Sequence, residues 1–184
     1  MNETEPVARA TIVYESMFGS TRHIAEAIAD GLRPTTSVTV LAVKDAPESI
    51  GDADLLIAGA PTHAHGLSRP ASRTEAGRWA DDSARHLTLE PDAEGLGIRE
   101  WLETCGQVPS LFAAFDTRAD MTELFTGSAA SRIEKRLRRL GAHPLLPKES
   151  FLVDKESALL AGELDRARAW GRTIAAELRM PLPR

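Results

Sequence analysis

The run Tyr14-Glu15-Ser16-Met17-Phe18-Gly19-Ser20-Thr21-Arg22 sets three hydroxyls around one glycine, directly before residues with helical spacing. That order of residue types suits an anion. The first N–H groups of a helix have no partner within it, and the positive end of the macrodipole adds to their pull. Ser16, Ser20 and Thr21 would add hydroxyl donors, so a phosphate dianion needs no lysine here. Gly19 lets the backbone approach closely or take positive φ. The plain alternative is that Ser20 or Thr21 only caps the helix. A triphosphate loop is excluded because its Gly-Lys-Ser/Thr ending is missing, and one glycine is too few for the dinucleotide turn. Glu15 reads as a surface or turn residue rather than a general base, since its charge would oppose a phosphate.

A second cluster is Gly59-Ala60-Pro61-Thr62-His63-Ala64-His65-Gly66. It leaves the carboxyl end of an apolar run, Asp54 to Ala60, which is where open α/β sheets bind ligands. Pro61 fixes the chain direction, Thr62 offers a hydroxyl, and Gly66 permits an unusual backbone conformation. His63 and His65 are two apart with no third ligand nearby, so no metal site is expected. No serine–histidine–acid or cysteine–histidine arrangement suggests itself from order or spacing. Cys105 is the sole cysteine. It can form no internal disulfide, and it reads as a half-buried helix-end thiol in a reducing compartment.

These loops need a frame. Ala10 to Tyr14, Ser37 to Val43, Asp54 to Ala60, Leu111 to Phe115 and Ser150 to Val153 read as five strands. Helical spacing fills Thr21–Leu32, about Gly127–Leu140 and about Glu163–Leu178, and Pro34 stops the first helix. Alternation of this kind implies right-handed crossovers, hence a parallel sheet with helices on both faces. No linker or repeat divides residues 1–184, so one domain is expected, with an irregular insertion at about 70–106. Within it, Thr74–Trp79 and Ile98–Glu103 read as short helical pieces. An insertion this long is often a lid or binding element, and Trp79 and Trp101 lie in it.

With 184 residues, 42% of them apolar, the chain is long enough for one sizeable core. Its net charge of −5 argues against nucleic acid or an anionic membrane as partner. No segment approaches the roughly 18–20 apolar residues that cross a bilayer, and the acidic N-terminus is unlike a secretory signal, so a cytoplasmic protein without membrane insertion is expected. The one basic cluster, Arg132, Lys135, Arg136, Arg138 and Arg139, reads as the solvated face of a helix. Its opposite face would carry Ile133, Leu137 and Leu140.

Val13 to Ile28 resembles the flavodoxin signature: an apolar strand with tyrosine, hydroxyl-x-x-Gly-x-Thr, then a helix with small residues. Asp54 to Gly66 is similar to the third-strand segment of flavodoxin-like proteins, including quinone reductases with a Gly-x-Pro-Thr-x-x-Gly loop. Phe115-Asp116-Thr117-Arg118 stands where that family places its second flavin-contacting loop, and Gly162 to Trp170 resembles its last helix. The resemblance implies a three-layer α/β/α fold with a five-stranded parallel sheet of order 2-1-3-4-5, and FMN as cofactor. Ser16, Met17, Phe18, Gly19, Ser20 and Thr21 would wrap the FMN phosphate. Pro61, Thr62, His63, Ala64, His65 and Gly66 would line the isoalloxazine, and Asp116, Thr117 and Arg118 would close its other side. Arg118 could also set a positive charge by the ring, or pair with Asp116 or Asp120.

Two features depart from the family, the positive charge that Arg118 would set near the ring being one of them. The tryptophan and tyrosine that often sandwich the ring are missing from these loops, so His63 or His65 is expected to stack and the flavin to be more exposed. The net charge is modest for a dedicated electron carrier. The implied function is electron transfer with a redox partner protein or a small-molecule electron acceptor. The alternatives are an FMN-dependent oxidoreductase acting on a quinone or porphyrinogen, and a flavin-free binding or regulatory module. A phospho-receiver is excluded, since the third strand ends in Gly59-Ala60-Pro61 instead of an aspartate.

Overall fold

The computed structural model describes residues 7–63, 66–83, 85–91 and 93–179. β1 (Arg9–Tyr14), β2 (Ser37–Ala42), β3 (Leu55–Pro61), β4 (Leu111–Ala119), β5 (His143–Pro144) and β6 (Glu149–Val153) form one sheet. Its order is β2-β1-β3-β4-β5, with β6 also on β4 and every pairing parallel. The helices are α1 (Ser20–Leu32), α2 (Pro70–Asp81), α3 (Ile98–Thr104), α4 (Glu123–Thr126), α5 (Ala129–Arg139) and α6 (Glu163–Leu178).

β3 is buried along Leu55–Ala60, as a central parallel strand covered on both faces should be. Its side chains still alternate. Leu55 and Ile57 pack with Ile24, Ile28, Phe151 and Ile174 toward α1 and α6. Leu56 and Ala58 pack with Trp101, Ile133 and Leu137 toward α3 and α5. Phe115, Phe151 and Trp170 meet edge to face at 6.2–6.4 Å in the first layer. α1 and α6 cross where Gly31 and Gly171 touch, and a Cβ on Gly171 would stand 2.3 Å from the Ile28 carbonyl oxygen.

The expected 2-1-3-4-5 sheet is present, with one strand more than expected. The fifth position is filled by two segments: β5 lies beside Leu111–Phe112 and β6 beside Phe115–Ala119. Pro144 and Pro147 flank the break. Neither has an N–H to continue a ladder, and Leu145 N donates to Phe112 O at 2.7 Å before the chain leaves the edge. The stretch at 70–106 is more regular than its sequence suggests, because α2 spans Pro70–Asp81 where only a turn over 74–79 is expected. Pro70 opens that helix, and Ser72 Oγ accepts from Arg69 N at 2.8 Å. Leu140, expected on the apolar face of α5, lies past the helix end and is 41% exposed.

Candidate functional site

β1, β3 and β4 end side by side, with Tyr14 opposite Gly59 and Gly59 opposite Phe115. The loop after β1 starts with Glu15 N donating to Gly59 O at 3.0 Å. Gly19 follows at φ 94°, where a Cβ would be strained and only 3.3 Å from Glu90 Oε1. Gly19 is the residue that precedes the first turn of α1, and no side chain caps that end. The hydroxyls are spent elsewhere. Ser16 Oγ accepts from Gly19 N at 3.1 Å, Ser20 Oγ donates to Ser157 O at 2.6 Å, and the Thr21 and Thr117 hydroxyls lie 2.7 Å apart. Neither Ser20 nor Thr21 is therefore a simple helix cap.

At the mouth of these strands lies a groove of about 330 Å³, within the size range of small-ligand sites. Met17, Phe18, Ser20 and Thr21 line it from the first loop, Pro61, Thr62 and His63 from β3 and its exit, and Thr117 and Arg118 from β4. Ser16, Gly19 and Gly66 are not part of the groove lining. His63 and Gly66 close a tight turn through N–H···O bonds of 2.8 and 2.9 Å. Ala64 and His65 fall outside the described residues. Burial, and then the positive Arg73, push His63 below its ordinary pKa of 6.5 and keep the imidazole neutral near pH 7.

Three residues stand differently from expectation. Asp116, expected beside the ring, is fully buried within β4 and does not line the groove. Its Oδ2 accepts from Ser128 Oγ at 2.7 Å, Ala130 N at 3.0 Å and Thr62 Oγ1 at 3.1 Å. Thr62 Oγ1 in turn accepts from Ala129 N at 2.9 Å, so the pair secures the start of α5 to the end of β3. The second-loop segment is strand here because β4 stays paired with β3 to Pro61 and with β6 to Val153.

Glu15, expected at the surface, is only 3% exposed. It accepts from the Ser68 hydroxyl and from Ile98 N at 2.9 Å, tying the first loop to the start of α3. Burial raises its pKa above 4.5 in spite of those bonds and of Arg73. Arg118 pairs with neither Asp116 nor Asp120. Its Nη1 donates to Met121 O, and its Nε is buried without a partner.

Trp79, which lies in the insertion expected to be able to form a substrate pocket over the ring but not among the expected cofactor contacts, lines the groove. It comes from α2, its Nε1 donates to Glu75 Oε1 at 3.0 Å, and Arg85 sits 5.1 Å from its ring centre. A helical pattern across all of 70–81 would have been the signal. Trp101, by contrast, is core, and donates to Pro47 O at 2.9 Å. Among the described residues no group of three or more His, Cys, Asp and Glu is placed to hold a metal, and no helix is long and apolar enough to cross a membrane.

The family model described as flavodoxin matches residues 12–170. No curated protein matches the chain by sequence. Oxidised flavodoxin 1 from Bacillus cereus superposes with a TM-score of 0.63 at 19% identity, over 95% of this chain and 100% of its own. The flavodoxin, WrbA-like protein from Agrobacterium tumefaciens gives 0.54 at 21% identity, over 94% of this chain and 98% of its own. Rubredoxin:oxygen oxidoreductase from Desulfovibrio gigas gives 0.60 at 19% identity, over 96% of this chain but 37% of that longer one. Identities this low carry the fold alone, while the family model spans most of the sequence: this chain belongs to the flavodoxin family.

Proposed function

We propose that the chain binds FMN in the groove at the ends of β1, β3 and β4 and works in electron transfer. Family membership supports the cofactor, since flavodoxins bind FMN. The residues present fit it. The start of α1 has no side-chain cap, and the hydroxyls of Ser20 and Thr21 stand at that end, so a phosphate would find N–H and O–H donors together with the helix dipole. Arg118 brings a buried Nε with no partner to the groove wall, a donor available to a polar ring edge. Phe18, Pro61 and Trp79 supply apolar surface, and the neutral His63 adds a flat ring without burying a charge.

Bound FMN supplies one- and two-electron chemistry, and the protein supplies placement, shielding and charge. Phosphate binding at the start of α1 would compete with the Ser20–Ser157 hydrogen bond, so the segment after β6 has to release that hydroxyl. Asp116 plays its part at a distance, by fixing Thr62 and the start of α5.

The observation that carries the proposal is the hydroxyl-lined, uncapped start of α1 opening into a groove of ligand size. The test is the absorbance spectrum of the purified protein, followed by titration of the flavin-free protein with FMN and riboflavin. FMN binding at micromolar affinity or better, with riboflavin at least about 10-fold weaker, supports the phosphate role of the first loop. Equal affinities would remove that role, and no binding of either would leave a flavin-free module on this fold.

A further inference from the structure

Next to the flavin groove lies a second cavity, of about 470 Å³. His63 lines both. Three arginines reach this cavity from three elements: Arg69 just before α2, Arg99 on α3 and Arg132 on α5. Among the described residues no carboxylate lines it and none of the three arginines forms an ion pair. Arg99 is held in place by neutral partners, its Nε donating to Ser68 O at 2.8 Å and its Nη2 to Leu67 O at 2.7 Å. Carbonyl acceptors fix the guanidinium without cancelling its charge. Arg132 packs over Gly66, where a Cβ would come within 3.3–3.4 Å of its Cγ and Nε. Ala71 and Ser72 bring the positive end of the α2 dipole to the same wall.

The positive surface continues. A smaller hollow of about 220 Å³ shares Arg99 and Arg132 and runs on to Lys135, Arg136 and Arg139. Positions 132, 135, 136 and 139 are spaced to share one face of α5. Of these, Arg136 is ion-paired, with Glu103. This is a concentration of like charge on a protein whose net charge is −5. Unpaired guanidinium groups repel one another, so the arrangement costs stability unless an anion neutralises it. Arginine also suits the planar oxygens of carboxylates and phosphates.

We propose that the Arg69–Arg99–Arg132 cavity binds a small polyanion bearing carboxylate or phosphate groups, and so places an anionic electron donor or acceptor beside the flavin groove. Concavity favours a small molecule over an acidic protein face, since the volume lies within the range of small-ligand sites. The role beside the flavin rests on the FMN reading above; anion binding does not.

The first arm therefore uses the flavin-free full chain. Inorganic pyrophosphate is titrated by calorimetry, and its affinity is compared with Arg132→Gln, Arg99→Gln and a distant control, Arg172→Gln. The expected result is saturable binding, weakened at least about 10-fold in Arg132→Gln and unchanged in the control. Among the described residues the Arg132 side chain makes no hydrogen bond, so this variant stays informative even if Arg99→Gln unfolds. Absence of saturable binding, equal affinity in Arg132→Gln, or tighter binding of a deca-glutamate peptide than of pyrophosphate would overturn the proposal.

The second arm uses the flavin-loaded, dithionite-reduced protein and two small oxidants. Each ferricyanide or hexaammineruthenium(III) ion takes one electron, so two are consumed per two-electron reduced flavin, and the protons pass to buffer. If the cavity governs approach, the ferricyanide rate falls as salt rises, and Arg132→Gln lowers it severalfold while leaving the cationic oxidant no slower. If the net charge of −5 governs instead, the ferricyanide rate rises with salt, and the placement beside the flavin is refuted.

Discussion

Asp116 offers the sharpest separation between a ligand contact and a structural anchor. Its Oδ2 takes three hydrogen bonds, from Ser128, Ala130 and Thr62, while its buried Oδ1 takes none. Asp116→Ala leaves the Ala130 N–H and the buried Ser128 hydroxyl without an acceptor, at about 1–3 kcal/mol each. It also removes a negative charge from the start of α5, worth about 0.3–1 kcal/mol. The half-exposed Thr62 hydroxyl can turn to water. The expected loss is about 3–5 kcal/mol. Asp116→Asn keeps one oxygen toward the donors, puts an amide where Oδ1 has no partner, and loses the charge, so it should cost about 1–2 kcal/mol.

The assay is urea unfolding of both variants followed by circular dichroism, with the slope of the transition compared as well as its midpoint. Flavin titration of Asp116→Asn completes it, because a residue outside the groove should leave the ratio of FMN to riboflavin affinity unchanged. A loss under about 1 kcal/mol for Asp116→Ala, or equal losses for the two variants, would refute the hydrogen-bond reasoning. A changed affinity ratio would return Asp116 to the ligand site.

Gly171→Ala should destabilise by about 1–3 kcal/mol, because the new methyl meets backbone of α1 on a helix pair with no slack; an unchanged urea midpoint would contradict this. Glu15 has a folded-state pKa above 4.5, so the native protein holds that proton more tightly than the unfolded chain, and the stability this contributes is lost as pH rises through the raised value. Glu15→Gln, which never charges, should therefore gain on the wild type as pH climbs above 4.5 in a series of urea midpoints; a constant gap would exclude the linkage. Trp79→Ala should weaken FMN and riboflavin alike by about 2- to 10-fold, the worth of one aromatic contact, with equal affinities by fluorescence titration counting against a groove role.

Much of the frame was legible because parallel strands buried on both faces leave unbroken apolar runs, and β3 is the clearest of them. α6 was readable to its ends, since a long stripe of Ala167, Trp170 and Ile174 repeats at helical period. Right-handed crossovers then bring the loops after β1 and β3 to one edge, so the groove's position also follows from order alone. Direction within the edge does not follow. Asp116 and Thr117 are neighbours in sequence, yet strand alternation sends one carboxylate to the start of α5 and the other residue's hydroxyl to Thr21. The length of β4 depends on partners that are distant in the chain, and Pro144 and Pro147 divide the last strand only where it meets that edge.

The sequence by itself determined the layers and the hydroxyl-glycine loop, because periodicity and loop composition are local and survive without neighbours; the strand order came from the resemblance to flavodoxins. Only the tertiary structure decided that Glu15 is buried, that Trp79 reaches the groove, and that Arg69, Arg99 and Arg132 surround one cavity. Each of those facts depends on where a second segment comes to rest. Burial and electrostatic environment belong to the distances between segments, and no pattern along a single chain encodes those distances.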